Sequence, residues 1–210
     1  NAQTNSSNKD TATADQETLG LSLPELQMEL TRDQSAIIFK LPSTEPMYEV
    51  WSNSSTLDLS NSSVLELDTW LALEASQGLP ELYESSQDMF ILQFLNLQNL
   101  NAVSFKKGCY TGQEIIARMK FLGKQKKKTF LSMSPNKQIS KAGKDVFDAD
   151  GKKCGTLVRS HWSERTGSVS LVVLNLSYFE NTQTIFLDES LTIPFTVTEL
   201  NYEHLKETTK

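Results

Sequence analysis

Apolar positions along this chain recur first with a period of two, then with a helical spacing, then with a period of two again. Residues 26–30 alternate as Leu26-Gln27-Met28-Glu29-Leu30, 36–41 form a more continuous apolar run, and Met47-Tyr48-Glu49-Val50-Trp51 alternates once more. Alternation puts every second side chain on one face, so all three stretches predict strands. Pro42 and Pro46 punctuate the connection between the last two, and Trp51 is read most simply as a core aromatic. Residues 52–63 are rich in Ser and Asn and show no chemistry. From 64 to 76 the spacing of Leu65, Leu67, Trp70, Leu71 and Leu73 is partly helical, and Gly78-Leu79-Pro80 stops it.

A second helix is predicted after Thr111, which can act as N-cap, with Glu114 three residues on at the spacing of a capping box. Beyond residue 121 the period returns to two. Thr129–Met133 reads as a strand, 144–158 as a hairpin turning at Asp150-Gly151, and 167–177 and 191–200 as further strands, with Pro194 suggesting an edge. Several short strands in succession predict a small antiparallel barrel or sandwich from about 121 to 203. The fold class is therefore α+β, a mixed first part followed by a C-terminal antiparallel β-barrel, with boundaries at 1–20, 21–120 and 121–210.

Composition narrows this picture. The chain has 210 residues, 38% hydrophobic, with a formal charge of −6, enough for one large or two small domains with a core. Residues 1–18 are polar and nearly devoid of large apolar side chains, as expected of a disordered leader. The opening Asn1-Ala2-Gln3-Thr4 has neither the basic nor the apolar region of a signal peptide. It also lacks an initiator Met, so a fragment or processed product is expected. No apolar run reaches the ~20 residues of a membrane span. The two cysteines, Cys109 and Cys154, have no metal-ligand spacing and make no disulfide framework, which favours a cytoplasmic protein with no metal site of its own.

The candidate chemistry sits in 105–121, Phe-Lys-Lys-Gly-Cys-Tyr-Thr-Gly-Gln-Glu-Ile-Ile-Ala-Arg-Met-Lys-Phe. Gly108 and Gly112 permit turns ahead of the helix. Cys109 lies just before that helix, where free N–H groups and the macrodipole favour negative charge, and Lys106 and Lys107 add to the field. A thiol so placed is a candidate nucleophile or soft-metal ligand, although a lone Cys is more often a small buried hydrophobe. Glu114 and Arg118 stand one turn apart and can pair. Cys154 reads as structural, and His161 and His204 have no partner at catalytic or metal spacing. The lysines of 124–128 form a basic connection, read as a solvated loop because no aromatics interleave to stack on bases; direct nucleic-acid binding is not expected.

Lys107-Gly108-Cys109-Tyr110-Thr111-Gly112-Gln113-Glu114 resembles the signature of the YgfZ family, folate-binding relatives of the glycine-cleavage aminomethyltransferase. Trp70-Leu71-Ala72-Leu73 and Gly78-Leu79-Pro80 resemble the helix and turn preceding that signature, and Gln93 and Asn96 match a Pro-Gln-x-x-Asn pattern whose proline is here Leu92. Arg118 continues the signature. The resemblance implies an aminomethyltransferase-like portion before the barrel and a tetrahydrofolate cofactor. It also implies a role in iron–sulfur protein maintenance and tRNA modification, with folate and iron–sulfur client proteins as partners. It assigns Trp70 to the face of the folate, Lys107 and Cys109 to activity, and Gln93 and Asn96 to orienting ligand or loop. The plainer role for those two amides is to satisfy buried backbone groups. Tyr110, Gln113 and Glu114 shape the loop and cap the helix. The family's N-terminal portion, which completes the folate pocket, is not matched. Two other classes remain open: a folate-dependent aminomethyl transferase, for which no catalytic carboxylate is found, and an RNA- or protein-binding module resting on the 124–128 lysines.

Overall fold

A computed structural model describes residues 23–25, 30–32, 36–52, 62–105, 107–121, 123, 125–181, 183–203 and 205. The leader predicted at 1–20 and His204 lie outside the described residues, as do Lys106 and Lys124 of the basic stretch. Chain contacts divide the molecule into two units, Asn1–Leu65 with Lys206–Lys210, and Glu66–Leu205.

The first unit contains a three-stranded antiparallel sheet in sequence order, β1 (Leu30–Arg32), β2 (Ala36–Lys40) and β3 (Tyr48–Ser52). Ile38 pairs with Val50 at its centre. β2 and β3 fall where alternation puts them, whereas the strand expected at 26–30 meets β1 only at Leu30 and its other residues lie outside the described residues. The face of β3 is not the one expected. Tyr48, Val50 and Ser52 are half-buried, whereas Trp51 shares the outer face with Glu49 and is 65% exposed. Its indole N–H donates to Glu49 Oε1 at 2.9 Å, so Trp51 is not a core residue.

The second unit is built on six antiparallel strands: β4 (Lys127–Ser134), β5 (Asp145–Phe147), β6 (Lys153–Ser163), β7 (Gly167–Asn175), β8 (Thr184–Ile185) and β9 (Phe195–Thr198), in the order β5-β6-β7-β4-β9-β8. Phe147 and Phe186 exchange two backbone hydrogen bonds of 2.9 Å, joining the two edges and nearly closing the sheet into a barrel. The turn between β5 and β6 lies at Asp150-Gly151, where Gly151 takes a φ of 75° that an L side chain resists. The interior is filled by Phe130, Leu157, Val172, Leu174, Ile185 and Phe195. Phe130 is fully buried and stacks on Phe179 of the short α3 (Leu176–Phe179) with ring centroids 4.5 Å apart.

Helix α1 (Leu67–Ser76) lies against the outside of this sheet. Ala72 and Ala75 are its buried residues and pack, with Leu95, on Val158, Val169, Leu171 and Val173. The predicted stop is a Schellman cap: Gly78 N–H donates to Ala75 O and Leu79 N–H to Glu74 O, at 2.9 and 3.2 Å, while Gly78 adopts φ 76°. A Cβ on Gly78 would come within 2.7 Å of the Tyr202 hydroxyl. Residues 90–101 follow as a chain of turns rather than a regular element, leading to α2 (Gln113–Phe121).

Two barrel strands differ from expectation. β4 begins at Lys127, inside the basic stretch read as a loop, with Lys128 paired to Leu174 and ion-paired to Glu199 at 2.7 Å. β9 covers only Phe195–Thr198, and Pro194 precedes it instead of occupying an edge within it.

Candidate functional site

Gly112 has a φ of 84°, and its carbonyl accepts the N–H of Ile116 at 3.3 Å, making it the residue that opens α2. The reciprocal cap lies one residue earlier than expected. Gln113 Oε1 accepts the N–H of Tyr110 at 3.3 Å, and Gln113 N–H donates to Tyr110 O at 3.1 Å. Thr111 and Glu114 do not form the expected box, and Glu114 does not ion-pair with Arg118. An amide serves where a carboxylate was expected because the helix starts two residues beyond Thr111.

Cys109 is exposed on the irregular segment before Gly112, and Gly108 beside it has open space around it. Lys107 is also exposed, with its ammonium 4.8 Å from the centroid of the Tyr110 ring, a cation–π distance. The Tyr110 hydroxyl is buried and has no hydrogen-bond partner among the described residues. Cys154 stands in contrast. It is buried in the barrel wall, its sulfur lies 3.4 Å from Val146 O, and burial pushes the thiol up to about 11.

Gln93 and Asn96 are both buried and brace the turns of 90–101. Gln93 Nε2 donates to Ile116 O of α2 at 2.8 Å, while Gln93 O accepts from Gln125 Nε2 at 2.7 Å. Asn96, with φ 57°, donates from Nδ2 to Thr129 O of β4 at 2.8 Å and to the Tyr202 hydroxyl at 3.3 Å. Asn is among the few residues that tolerate the left-handed region. The carbonyl oxygens of both amides, Gln93 Oε1 and Asn96 Oδ1, are buried with no hydrogen-bond donor among the described residues. Trp70 is half-buried on α1, about 200° round the helix from Ala72, and belongs to none of the core clusters. The same turns thus link Gln93 to the signature helix and Asn96 to the barrel. Among the described residues no hydrogen bond or ring contact joins Trp70 to Lys107 or Cys109, and no group of three metal-ligating side chains occurs.

A second polar cluster gathers at the C-terminal half of α1, and sequence reasoning did not find it. Arg159 of β6 is 2% exposed and contacts Glu74, at 3.3 Å, and Glu81, at 3.4 Å. Its Nε–H donates to His161 Nε2 at 3.1 Å, which makes that nitrogen an acceptor and leaves the ring proton on Nδ1. The Tyr83 hydroxyl donates to Glu81 Oε2 at 2.6 Å and lies 3.3 Å from the same His161 nitrogen. Burial and that hydrogen bond push Tyr83 up to about 12. Arg159 and His161 form one wall of an open cleft of about 360 Å³ that Tyr83 and Lys141 also line. The sequence signal of this cluster is faint: Arg159 follows the apolar Leu157-Val158 pair on a strand that also carries Lys153, Thr156, Ser160 and His161.

His161 gives a pH prediction. Burial first, then the Arg159 charge, lower its pKa below the ordinary 6.5, against weaker opposing pulls from Glu81 and Asp68. The unfolded chain therefore takes up the proton more readily than the folded one. Stability assigned to this group is complete above 6.5 and is lost as pH falls through that value toward the lowered folded one. Thermal melts between neutrality and about pH 5 should show this fall, and His161→Gln should flatten it.

The fold of the chain resembles that of an aminomethyltransferase. It superposes on the aminomethyltransferase T of the glycine cleavage system from Bartonella henselae with a TM-score of 0.59 at 17% identity, covering 93% of this chain and 57% of that one. In sequence the chain is similar to YgfZ proteins over half of its length. It is 38% identical over 109 residues to the tRNA-modifying protein YgfZ of Escherichia coli O139:H28 (strain E24377A / ETEC), a match covering 50% of this chain and 33% of that protein. The same figures hold for the tRNA-modifying protein YgfZ of Shigella boydii serotype 18. The match thus spans about a third of those curated relatives. No family model matches the chain. Among the described residues, no helix is long and apolar enough to cross a membrane.

Proposed function

We propose that this chain is the signature-bearing portion of a tetrahydrofolate-binding protein that supports iron–sulfur cluster assembly or repair and tRNA modification. The observation that carries this reading is the exposure of Cys109 and Lys107 at the entry to α2, within a string that resembles the YgfZ signature.

The residues present fit the cofactor. Trp70 stands half-exposed outside the core and offers an indole face to a flat heterocycle. Gln93 Oε1 and Asn96 Oδ1 are buried acceptors with no donor among the described residues, suited to a ring that carries N–H groups. Their Nδ2 and Nε2 groups are already committed to the fold, so the acceptor atoms are held in fixed orientations. When bound, a reduced folate supplies one-carbon chemistry. The chain's own part is to stack on the ring with Trp70, to neutralise an anionic group with Lys107, and to present the Cys109 sulfur as a nucleophile or transient soft-metal ligand in a water-accessible loop. Iron–sulfur client proteins are the partners of this reading, and the cytoplasm its compartment.

Calorimetric titration of the chain with tetrahydrofolate tests it. Binding is expected, and Trp70→Ala should weaken it about tenfold, since stacking on an aromatic contributes about 1–3 kcal/mol. Absence of binding to the unsubstituted chain would overturn the folate reading. A second reading, one-carbon transfer, rests on the aminomethyltransferase fold alone; sustained turnover of an aminomethyl donor with tetrahydrofolate would promote it over the first.

A further inference from the structure

Helix α1 carries Trp70, yet its own packing is too smooth to fix where it sits. Its fully buried residues are two alanines, Ala72 and Ala75, and no side chain caps its N-terminus. Two methyl groups on a sheet of Val and Leu supply some burial but little resistance to sliding or rotation. The directional contacts come from the Tyr202 hydroxyl, which donates to Gly78 O at 3.3 Å at the cap, and, along the helix itself, from Arg159.

Arg159 reaches α1 because of a β-bulge. Leu157 pairs with Val172 and Arg159 with Leu171, so Val158 is an extra residue on β6. Strict alternation would send Arg159 to the same side as Leu157, into the barrel among Phe130 and Val172. The bulge turns it outward instead. There its planar fork spans the Schellman cap. Nη1 donates to Leu79 O at 3.0 Å beyond the cap, and Nη2 donates to Leu71 O at 3.3 Å inside the helix, and to Glu74 Oε2 at 3.3 Å. Leu71 is the residue after Trp70. A buried guanidinium with only one of these partners would be costly, whereas one matched by two carboxylates and two carbonyls is held in a single geometry.

We propose that Arg159 is a positioning residue: the barrel, through this bulged arginine, sets the axial and rotational placement of α1 and so the placement of Trp70. The consequence for ligand binding rests on the folate reading above; the placement itself does not. Arg159 touches no reacting group and acts through α1. Lysine cannot substitute, because a single ammonium lacks the fork that reaches both carbonyls.

The test uses the full chain with Trp51→Phe and Trp162→Phe, which leaves Trp70 as the one tryptophan of three. In Arg159→Met, amides of Leu67–Ser76 should exchange with solvent about tenfold faster or more, while those of Lys127–Ser134 and Gly167–Asn175 keep their protection. Acrylamide quenching of Trp70 should change in parallel, and Arg159→Lys should behave like Arg159→Met. Tetrahydrofolate affinity should fall in Arg159→Met, and combining it with Trp70→Ala should weaken binding no further than Trp70→Ala does alone. Unchanged α1 protection and Trp70 quenching overturn the proposal. So does an equal loss of protection across the barrel, or full restoration by lysine. If Arg159→Met does not fold, Arg159→Lys, which keeps the charge, carries the same comparison. A chain that never binds tetrahydrofolate sinks the proposed function, while exchange and quenching still decide the role of Arg159.

Discussion

Cys109→Ala should abolish complementation of a bacterial strain lacking its YgfZ gene while changing the stability of the chain by less than about 0.5 kcal/mol, the usual range for an exposed side chain. The sulfur is exposed beside a glycine with open space around it, so removing it disturbs no packing. Cys154→Ala should do the reverse. That thiol is buried in the barrel core cluster and held protonated by its surroundings, up to about 11. Its loss should cost about 1 kcal/mol and spare the cellular function. A disulfide reagent added to the folded chain should titrate Cys109 and leave Cys154 unmodified until denaturant is added. Equal phenotypes, or equal reactivity of the two thiols, would remove the special standing of Cys109.

The largest loss of stability is expected from Phe130→Ala. Phe130 is fully buried at the centre of the barrel, paired with Val172 on β7, and stacked on Phe179 at 4.5 Å. Its removal loses transfer energy and opens a cavity between strands that are hydrogen-bonded on both sides and cannot close over it. Truncations of this kind cost about 3–5 kcal/mol, against a total of about 5–15 kcal/mol for an ordinary domain. Urea denaturation followed by circular dichroism should show the midpoint falling accordingly. A change below about 1 kcal/mol would mean that the barrel interior relaxes around the vacancy.

What was legible in the sequence was whatever neighbouring residues decide among themselves. The end of α1 could be read because a Schellman cap needs only Gly78 and the turn before it. The β5–β6 turn could be read because Asp150-Gly151 fixes it locally. The entry to α2 was misplaced by one residue, since Thr111/Glu114 and Tyr110/Gln113 share the same three-residue spacing and only backbone geometry separates them. Trp51 was put on the wrong face because alternation gives the period and not the side that meets solvent. The start of β4 was hidden since Lys127 and Lys128 are drawn into the sheet by β7, not by their own preference. β8, at two residues, is too short to leave a pattern.

The candidate site divides in the same way. The signature string named Cys109 and Lys107 without any structure. The structure assigned Gln93 and Asn96 hydrogen bonds that link the turns to α2 and β4. The Arg159 cluster was invisible beforehand, because it depends on a bulge at Val158 and on carboxylates some eighty residues away, as with Glu74 at a sequence separation of 85. A buried arginine cannot choose its side of a strand from sequence alone.

The seam between Phe147 and Phe186 reaches beyond the fold itself. By tying the two outermost strands together, it hides the backbone groups that a stray strand from another molecule would otherwise zip onto. Yet the seam is only two hydrogen bonds wide, while β6 and β7 are knit along nearly their whole length. When this wall parts, it parts there first, and that rupture briefly bares the kind of sticky margin the closed ring conceals.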